Sequence, residues 1–228
     1  MLHLYPDFLN LYGEYGNVVI IKNQIQKQGI HVNVEQKTKG DDIDFSKYHF
    51  IYIGSGTEKH LDFALKDLKR YQESMKNAIE NDTVILATGN SYEMFGKKIN
   101  EEHALDIFDF EVIRLKNRIS SSVLYLPADA HFFNNIESEE KESEEPSLQV
   151  VGVVNKMTEI YHNMFPLFQV KLGIGENKKN DYEGVKYHSF YGTHVVGPIF
   201  AKNPLLTKSF VIEICQKVDA NFKYHTSY

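Results

Sequence analysis

The sequence predicts an α/β fold, a mostly parallel sheet with helices on both faces, in a single domain spanning residues 1–228. Two observations carry the prediction. Short apolar runs alternate with segments at helical spacing through the first half of the chain, the pattern of strands joined by crossover helices. A chain of 228 residues is the natural size for one such domain and can bury a core without disulfides or metals.

The elements follow in order. Leu2-His3-Leu4-Tyr5 is a short alternating run that opens the sheet. From Asn17 to Gly29, Val18, Ile21 and Ile25 share a helical face, and Gly29 is a C-terminal stop. His31 to Val34 alternates as a strand. Tyr48 to Ile53 is another strand, ending in Gly54-Ser55-Gly56. Leu61 to Asn81 places Leu61, Leu65, Leu68, Tyr71, Met75 and Ile79 at three- and four-residue steps, a helix. Val84 to Ala87 reads as a buried strand, followed through Thr88-Gly89-Asn90-Ser91 by a tight turn and the start of a helix. Such a turn presents a nucleophile at a strand end, yet its tip is Gly89, and the one cysteine of the chain is Cys215. Farther on, Ile119 to Tyr125 reads as strand. Residues 137–146 form an acidic run expected to be a solvated, mobile surface loop. Gln149 to Val154 is apolar, and Gly175 to Gly184 is a polar loop. Leu205 to Val218 is a terminal helix with Phe210, Ile214 and Val218 in step.

Composition excludes several classes. One cysteine allows no internal disulfide and no thiolate zinc cluster, which fits the reducing cytoplasm. No basic stretch followed by an apolar run opens the chain, and no apolar run approaches the ~20 residues of a membrane helix. A net charge of −6 gives no nucleic-acid footprint. The histidines have no metal-ligand spacing, and a phosphate-binding loop is missing, so neither a metal, a cofactor nor ATP hydrolysis is expected.

Three stretches carry a resemblance. They are Leu4-Tyr5-Pro6-Asp7-Phe8-Leu9-Asn10-Leu11-Tyr12-Gly13-Glu14-Tyr15-Gly16-Asn17, then Ile53-Gly54-Ser55-Gly56-Thr57-Glu58, and Tyr191-Gly192-Thr193-His194-Val195-Val196-Gly197-Pro198 with Asn203-Pro204. In this order they resemble the class I glutamine amidotransferases of the cobyric acid synthase type, and most of all the glutaminase subunits of lipid II isoglutaminyl synthases. The resemblance implies a flavodoxin-like fold and a Mur-ligase-like protein as partner in trans. It also implies a cysteine nucleophile, a histidine base and a backbone oxyanion site. Here the nucleophile position of the family's turn is Gly89, followed by Asn90 and Ser91. The histidine position of the closing motif is Val196, and the glutamine before the helix is Glu93.

Both catalytic positions are thus vacated, which leaves three readings open. The first is a catalytically deficient member acting by binding to the Mur-ligase-like partner. The second is an amidotransferase or amidase with a displaced nucleophile, Ser91 or Thr88, although misplacement by ~1 Å already costs ~100-fold in rate. The third is a regulator that binds glutamine or a related small molecule through Gly54, Ser55, Gly56, Asn90, Glu93 and His194. On one continuous strand His194 and Val196 would share a face; the plainer reading of His194 is a partly exposed histidine bonded to backbone. Asn10, Tyr12, Gly13 and Asn17 read as turn-shaping residues. Arg114 and Arg118 read as a surface ion network with Asp109 and Glu111, and Cys215 as a core residue.

Overall fold

In the computed structural model, which describes residues 1–136 and 148–225, the alternation produces a parallel-dominated central sheet. Its strands are β1 (Leu2–Leu4), β2 (Glu35–Lys37), β3 (Phe50–Ile53) and β4 (Val84–Thr88), each β1–β3 and β3–β4 pair running parallel. β3 and β4 are buried along their whole length, as continuous apolar runs require when helices cover both faces. Ile51, Ile53, Ile85 and Ala87 point into one core. Phe50, Tyr52, Val84 and Leu86 point into the other.

Helix α1 (Tyr15–Lys27) lays Val18, Ile21 and Ile25 on the second core. Helices α2 (Glu58–Leu68) and α3 (Gln72–Glu80) cover the first. They are one expected helix divided by a 3-10 turn at Lys69–Tyr71, and α2 starts earlier than expected because the Thr57 hydroxyl accepts from the His60 N–H at 3.2 Å. The short α4 (Ile199–Lys202) leads into α5 (Pro204–Gln216). Val218 lies beyond α5 and is exposed, whereas Phe210, Ile214 and Cys215 are buried.

Two further boundaries differ from expectation. The strand expected over His31 to Val34 forms instead as β2, because β1 offers only three residues and pairs Leu2 with Glu35. After β4 the chain makes a 3-10 helix, Gly89–Phe95, rather than an α-helix.

The second half extends the sheet. β5 (Lys98–Ile99) and β6 (Glu102–His103) lie off the main path. β7 (Glu111–Pro127), β8 (Val150–Tyr161), β9 (Pro166–Leu172) and β10 (Tyr182–Tyr187) are antiparallel to one another in the order β8-β7-β9-β10. β11 (Phe190–Thr193) joins β10 to β4, parallel to the latter. β12 (Val195–Val196) pairs with β8 at the far end of the sheet order. Only His194 separates β11 from β12, so the antiparallel extension must curl back onto the central sheet. The acidic run at 137–146 lies outside the described residues.

Candidate functional site

The end of β4 meets three other segments at one point. Gly89 opens the 3-10 helix with φ +62°, the left-handed conformation that glycine adopts at no steric cost. The tip of the expected turn therefore keeps the backbone that aims a nucleophile outward, with hydrogen where the side chain would be. The space is also taken. A Cβ placed on Gly89 would lie 2.3 Å from Ser55 Cβ, far inside the ~3.5–4.0 Å of favourable carbon contact, and 3.2 Å from Val196 Cγ1, a little short of it. Ser55, in the glycine-rich loop after β3, fills the position in front of the turn.

The loop itself is bonded inward. Glu14, from the opening motif, is fully buried. It accepts from the Ser55 N–H, from the Thr88 hydroxyl at 3.3 Å and from the Gly197 N–H at 3.3 Å. One carboxyl group thus ties the glycine loop, the turn and the closing motif together. Burial raises its pKa, and these hydrogen bonds oppose the rise. Asn90 closes the second part of the loop: its amide donates to the Gly56 carbonyl at 2.9 Å and accepts from the Gly56 N–H at 3.1 Å. The amides of Ser55 and Gly56 are therefore not free to hold an anion, contrary to the ligand-binding expectation for this loop. A Cβ on Gly54 would lie 2.3 Å from the Leu9 carbonyl, so Gly54 serves close backbone approach.

The other hydroxyls also face inward. Ser91 Oγ donates to the carbonyls of Thr88 at 2.9 Å and Ile53 at 3.1 Å. Thr88 Oγ1 also lies 2.8 Å from the Tyr52 hydroxyl, which accepts from Asn17 Nδ2 at 2.9 Å. Both residues are fully buried. Asn17 thus does more than shape a turn, since its Oδ1 also accepts from the Phe200 N–H at 3.2 Å.

His194 is corrected in two respects. It is 1% exposed, and it stands where the chain passes from β11 to β12 rather than on one strand with Val196. Its Nε2 lies 3.0 Å from Glu93 Oε1, and its Nδ1 lies 3.0 Å from the Tyr92 hydroxyl and 3.5 Å from Glu183 Oε1. Its backbone N–H donates to Glu183 at 2.6 Å. Thr158 Oγ1 donates to Glu93 at 2.5 Å. Both ring nitrogens are engaged inside the protein, so the imidazole is not placed to activate a group in front of Gly89.

Above these groups a small cleft remains, lined by Tyr12, Ser55, Asn90, Glu93, Asn155 and Val196 among others. Its space is about 10 Å3, room for no more than one water. Arg118 spans the mouth, donating to Glu58 of α2 at 2.7 Å and to Asn155 Oδ1 at 3.4 Å. Arg114 pairs with Asp62, also of α2. The two arginines thus clamp β7 onto α2, in place of the expected network with Asp109 and Glu111. Among the described residues no group of three or more histidines, cysteines or carboxylates is arranged to hold a metal, and no helix is long and apolar enough to cross a membrane. Glu14, Asn155 and Thr158 carried no sequence signal. Glu14 alone stood within a noticed motif, where an acid between glycines reads as an ordinary turn residue.

The sequence matches the CobB/CobQ-like glutamine amidotransferase domain over residues 1–204. Subunit GatD of the glutamine-hydrolyzing lipid II isoglutaminyl synthase of Staphylococcus aureus (strain N315) is 28% identical over 226 residues, covering 97% of this chain and 86% of the relative. The subunit of the same name from Streptococcus pneumoniae (strain ATCC BAA-255 / R6) is 28% identical over 217 residues, covering 94% and 80%. Two solved structures share the fold. PurLQS from Thermotoga maritima superposes with a TM-score of 0.63 at 11% identity, covering 96% of this chain and 98% of that one. The glutaminase domain of Trypanosoma brucei CTPS with bound acivicin gives 0.54 at 11% identity, covering 98% and 96%. With its profile matched from the opening strand to the start of α5, the chain belongs to the family of CobB/CobQ-like glutamine amidotransferase domains.

Proposed function

We propose that this chain is a glutamine amidotransferase-like protein without glutaminase activity, acting as the binding subunit of a Mur-ligase-like protein in the cytoplasm, with residues 1–228 as one domain. The observation that supports it is the packing at Gly89. The thiol position of the family is a glycine, the base position is Val196, and Ser55 and Val196 occupy the volume in which a side chain at 89 would stand. A missing nucleophile alone would leave an empty but usable pocket. A filled pocket, with its loop amides bonded to Glu14 and Asn90, instead favours a scaffold kept for association. The relatives are named as subunits of a larger synthase, which fits that role.

The test is ammonia release from glutamine, measured on the pure protein and on its complex with a Mur-ligase-like partner from the same source. No release above background is expected in either. A glutamine-analogue electrophile should label nothing between Thr88 and Ser91 in peptide mapping. Turnover that disappears in Ser91→Ala or Thr88→Val would overturn the proposal.

A further inference from the structure

A groove of about 410 Å3 lies between the end of α3, the segment leading into β7, the loop from β8 to β9 and the end of β10. None of the residues around Gly89 lines it. Its floor is aromatic. Phe108 and Phe110 are buried with ring centroids 6.2 Å apart, and Tyr187 stands 5.8 Å from Phe108 and 4.9 Å from Phe165. Met164, in one wall, is 74% exposed, the most exposed large apolar side chain among the described residues. Phe165 beside it is 41% exposed.

Single exposed apolar residues are ordinary on a protein surface. These two are adjacent, they adjoin an aromatic floor, and their loop is pinned. The Asn163 amide donates to Glu176 at 2.5 Å and to the Gly184 carbonyl at 2.7 Å, and its Oδ1 accepts from the Phe165 N–H at 3.0 Å. The Phe165 carbonyl in turn accepts from the Lys186 N–H at 2.8 Å. The opposite wall is held as firmly, since the Ile107 and Phe108 N–H groups donate to the Phe95 carbonyl at 3.1 Å and 2.9 Å. Met164 and Phe165 are thus presented rather than frayed. A partner that buries them is spared much of the cost of ordering the loop.

Charge selects the occupant. Glu80, Asp106 and Asp109 stand in the walls, and among the described residues no lysine, arginine or histidine lines the groove. Asp109, with its side chain 83% exposed, meets Lys97 at 3.8 Å, and Glu80 meets His188 at 3.8 Å. Exposed pairs of this length hold little energy, so the rim stays negative. A second copy of the chain is a poor fit, because a two-fold interface would set this rim against itself and each chain carries a net charge of −6. A basic surface is steered toward it instead. We propose that this groove docks a segment of the Mur-ligase-like partner in which an arginine or lysine adjoins an apolar side chain. The apolar group packs on Met164 and Phe165 as an anchor, and the cation meets Asp106 and Asp109. The proposal rests on the reading that the chain acts as a binding subunit, and it adds where the partner binds and with what chemistry.

Isothermal titration of the full chain with the Mur-ligase-like protein from the same source, at low and at physiological salt, tests the proposal. Met164→Ser combined with Phe165→Ser should weaken the complex about tenfold or more, and Met164→Ser alone carries the test where the double variant does not fold. Asp106→Asn combined with Asp109→Asn should weaken it about threefold or more and flatten its salt dependence. Asparagine tolerates the φ of +52° at position 106. Leu172→Ser, at the far end of β9 and equally a loss of an exposed apolar side chain, should leave affinity unchanged. No complex with the unaltered chain would overturn the binding-subunit reading together with the docking site. A complex whose affinity is unchanged in the Met164 and Phe165 variants, whose salt dependence is unchanged in the asparagine variant, or which Leu172→Ser weakens equally would overturn the docking site alone.

Discussion

A methyl group added at Gly89 measures how completely the turn has been closed. In Gly89→Ala the new Cβ meets Ser55 Cβ at 2.3 Å, and Ser55 cannot withdraw easily because Glu14 holds its N–H. Overpacking of this kind costs about 1–3 kcal/mol. The φ of +62° adds about 1–2 kcal/mol for any residue with a Cβ. The single variant should therefore lose about 2–5 kcal/mol, read as a lower urea midpoint at unchanged slope. Ser55→Gly removes both the opposing carbon and a buried hydroxyl that has no hydrogen-bond partner. Alone it should cost no more than the ~0.5–1 kcal/mol of added chain freedom. In the double variant only the backbone cost at 89 should remain, so the two changes should couple favourably by about 1–3 kcal/mol. Urea unfolding of the four proteins closes the cycle. Additivity within about 0.5 kcal/mol would refute the claim that Ser55 fills the vacated position. The same reasoning predicts that Gly89→Cys with Val196→His stays inactive unless Ser55→Gly is included.

Glu14→Ala should lower stability by about 2–4 kcal/mol in thermal or urea unfolding, because it strands the Ser55 and Gly197 amides without partners and leaves the Thr88 hydroxyl with Tyr52 alone. Glu176 has its folded-state pKa raised from 4.5 to about 8. Its contribution is fully present below pH 4.5 and is lost as pH rises toward 8. Glu176→Gln should flatten that decline, a change of a few kcal/mol at most, seen by comparing urea midpoints at pH 5 and pH 8. His3 gives the opposite slope. It is fully buried between Tyr15 and Tyr52 with neither ring nitrogen bonded, and burial pushes its pKa down to about 4 from 6.5. The unfolded chain then takes up a proton that the folded chain refuses. Stability falls as pH drops from 6.5 toward 4, and His3→Phe should abolish that part of the acid slope.

The central sheet was legible because its signals are local. Ile51 to Ile53 and Val84 to Ala87 are apolar without alternation, and only a strand covered on both faces tolerates that. Helix α1 was legible from Val18, Ile21 and Ile25 for the same reason. The boundaries that moved depend on partners. β2 forms where β1 can pair with it, and the turn after β4 stays 3-10 where an α-helix was expected. His194 was misplaced because its pattern suggests one continuous strand, while the sheet curls so that neighbouring residues join strands at opposite ends of the order. Arg114 and Arg118 found Asp62 and Glu58 in α2, more than fifty residues away, where no spacing rule reaches.

The sequence by itself determined the family and which residues, Gly89 and Val196 among them, stand in its motif stretches, since a residue type can be read without coordinates. Only the tertiary structure decided that the turn at Gly89 is filled. That depends on Ser55, Glu14, Asn90 and Val196 arriving at one point from four separate segments, and interatomic distance between such segments is a property of the folded chain. It also decided that Ser91, Thr88 and His194 face inward, because burial is set by what packs over a side chain.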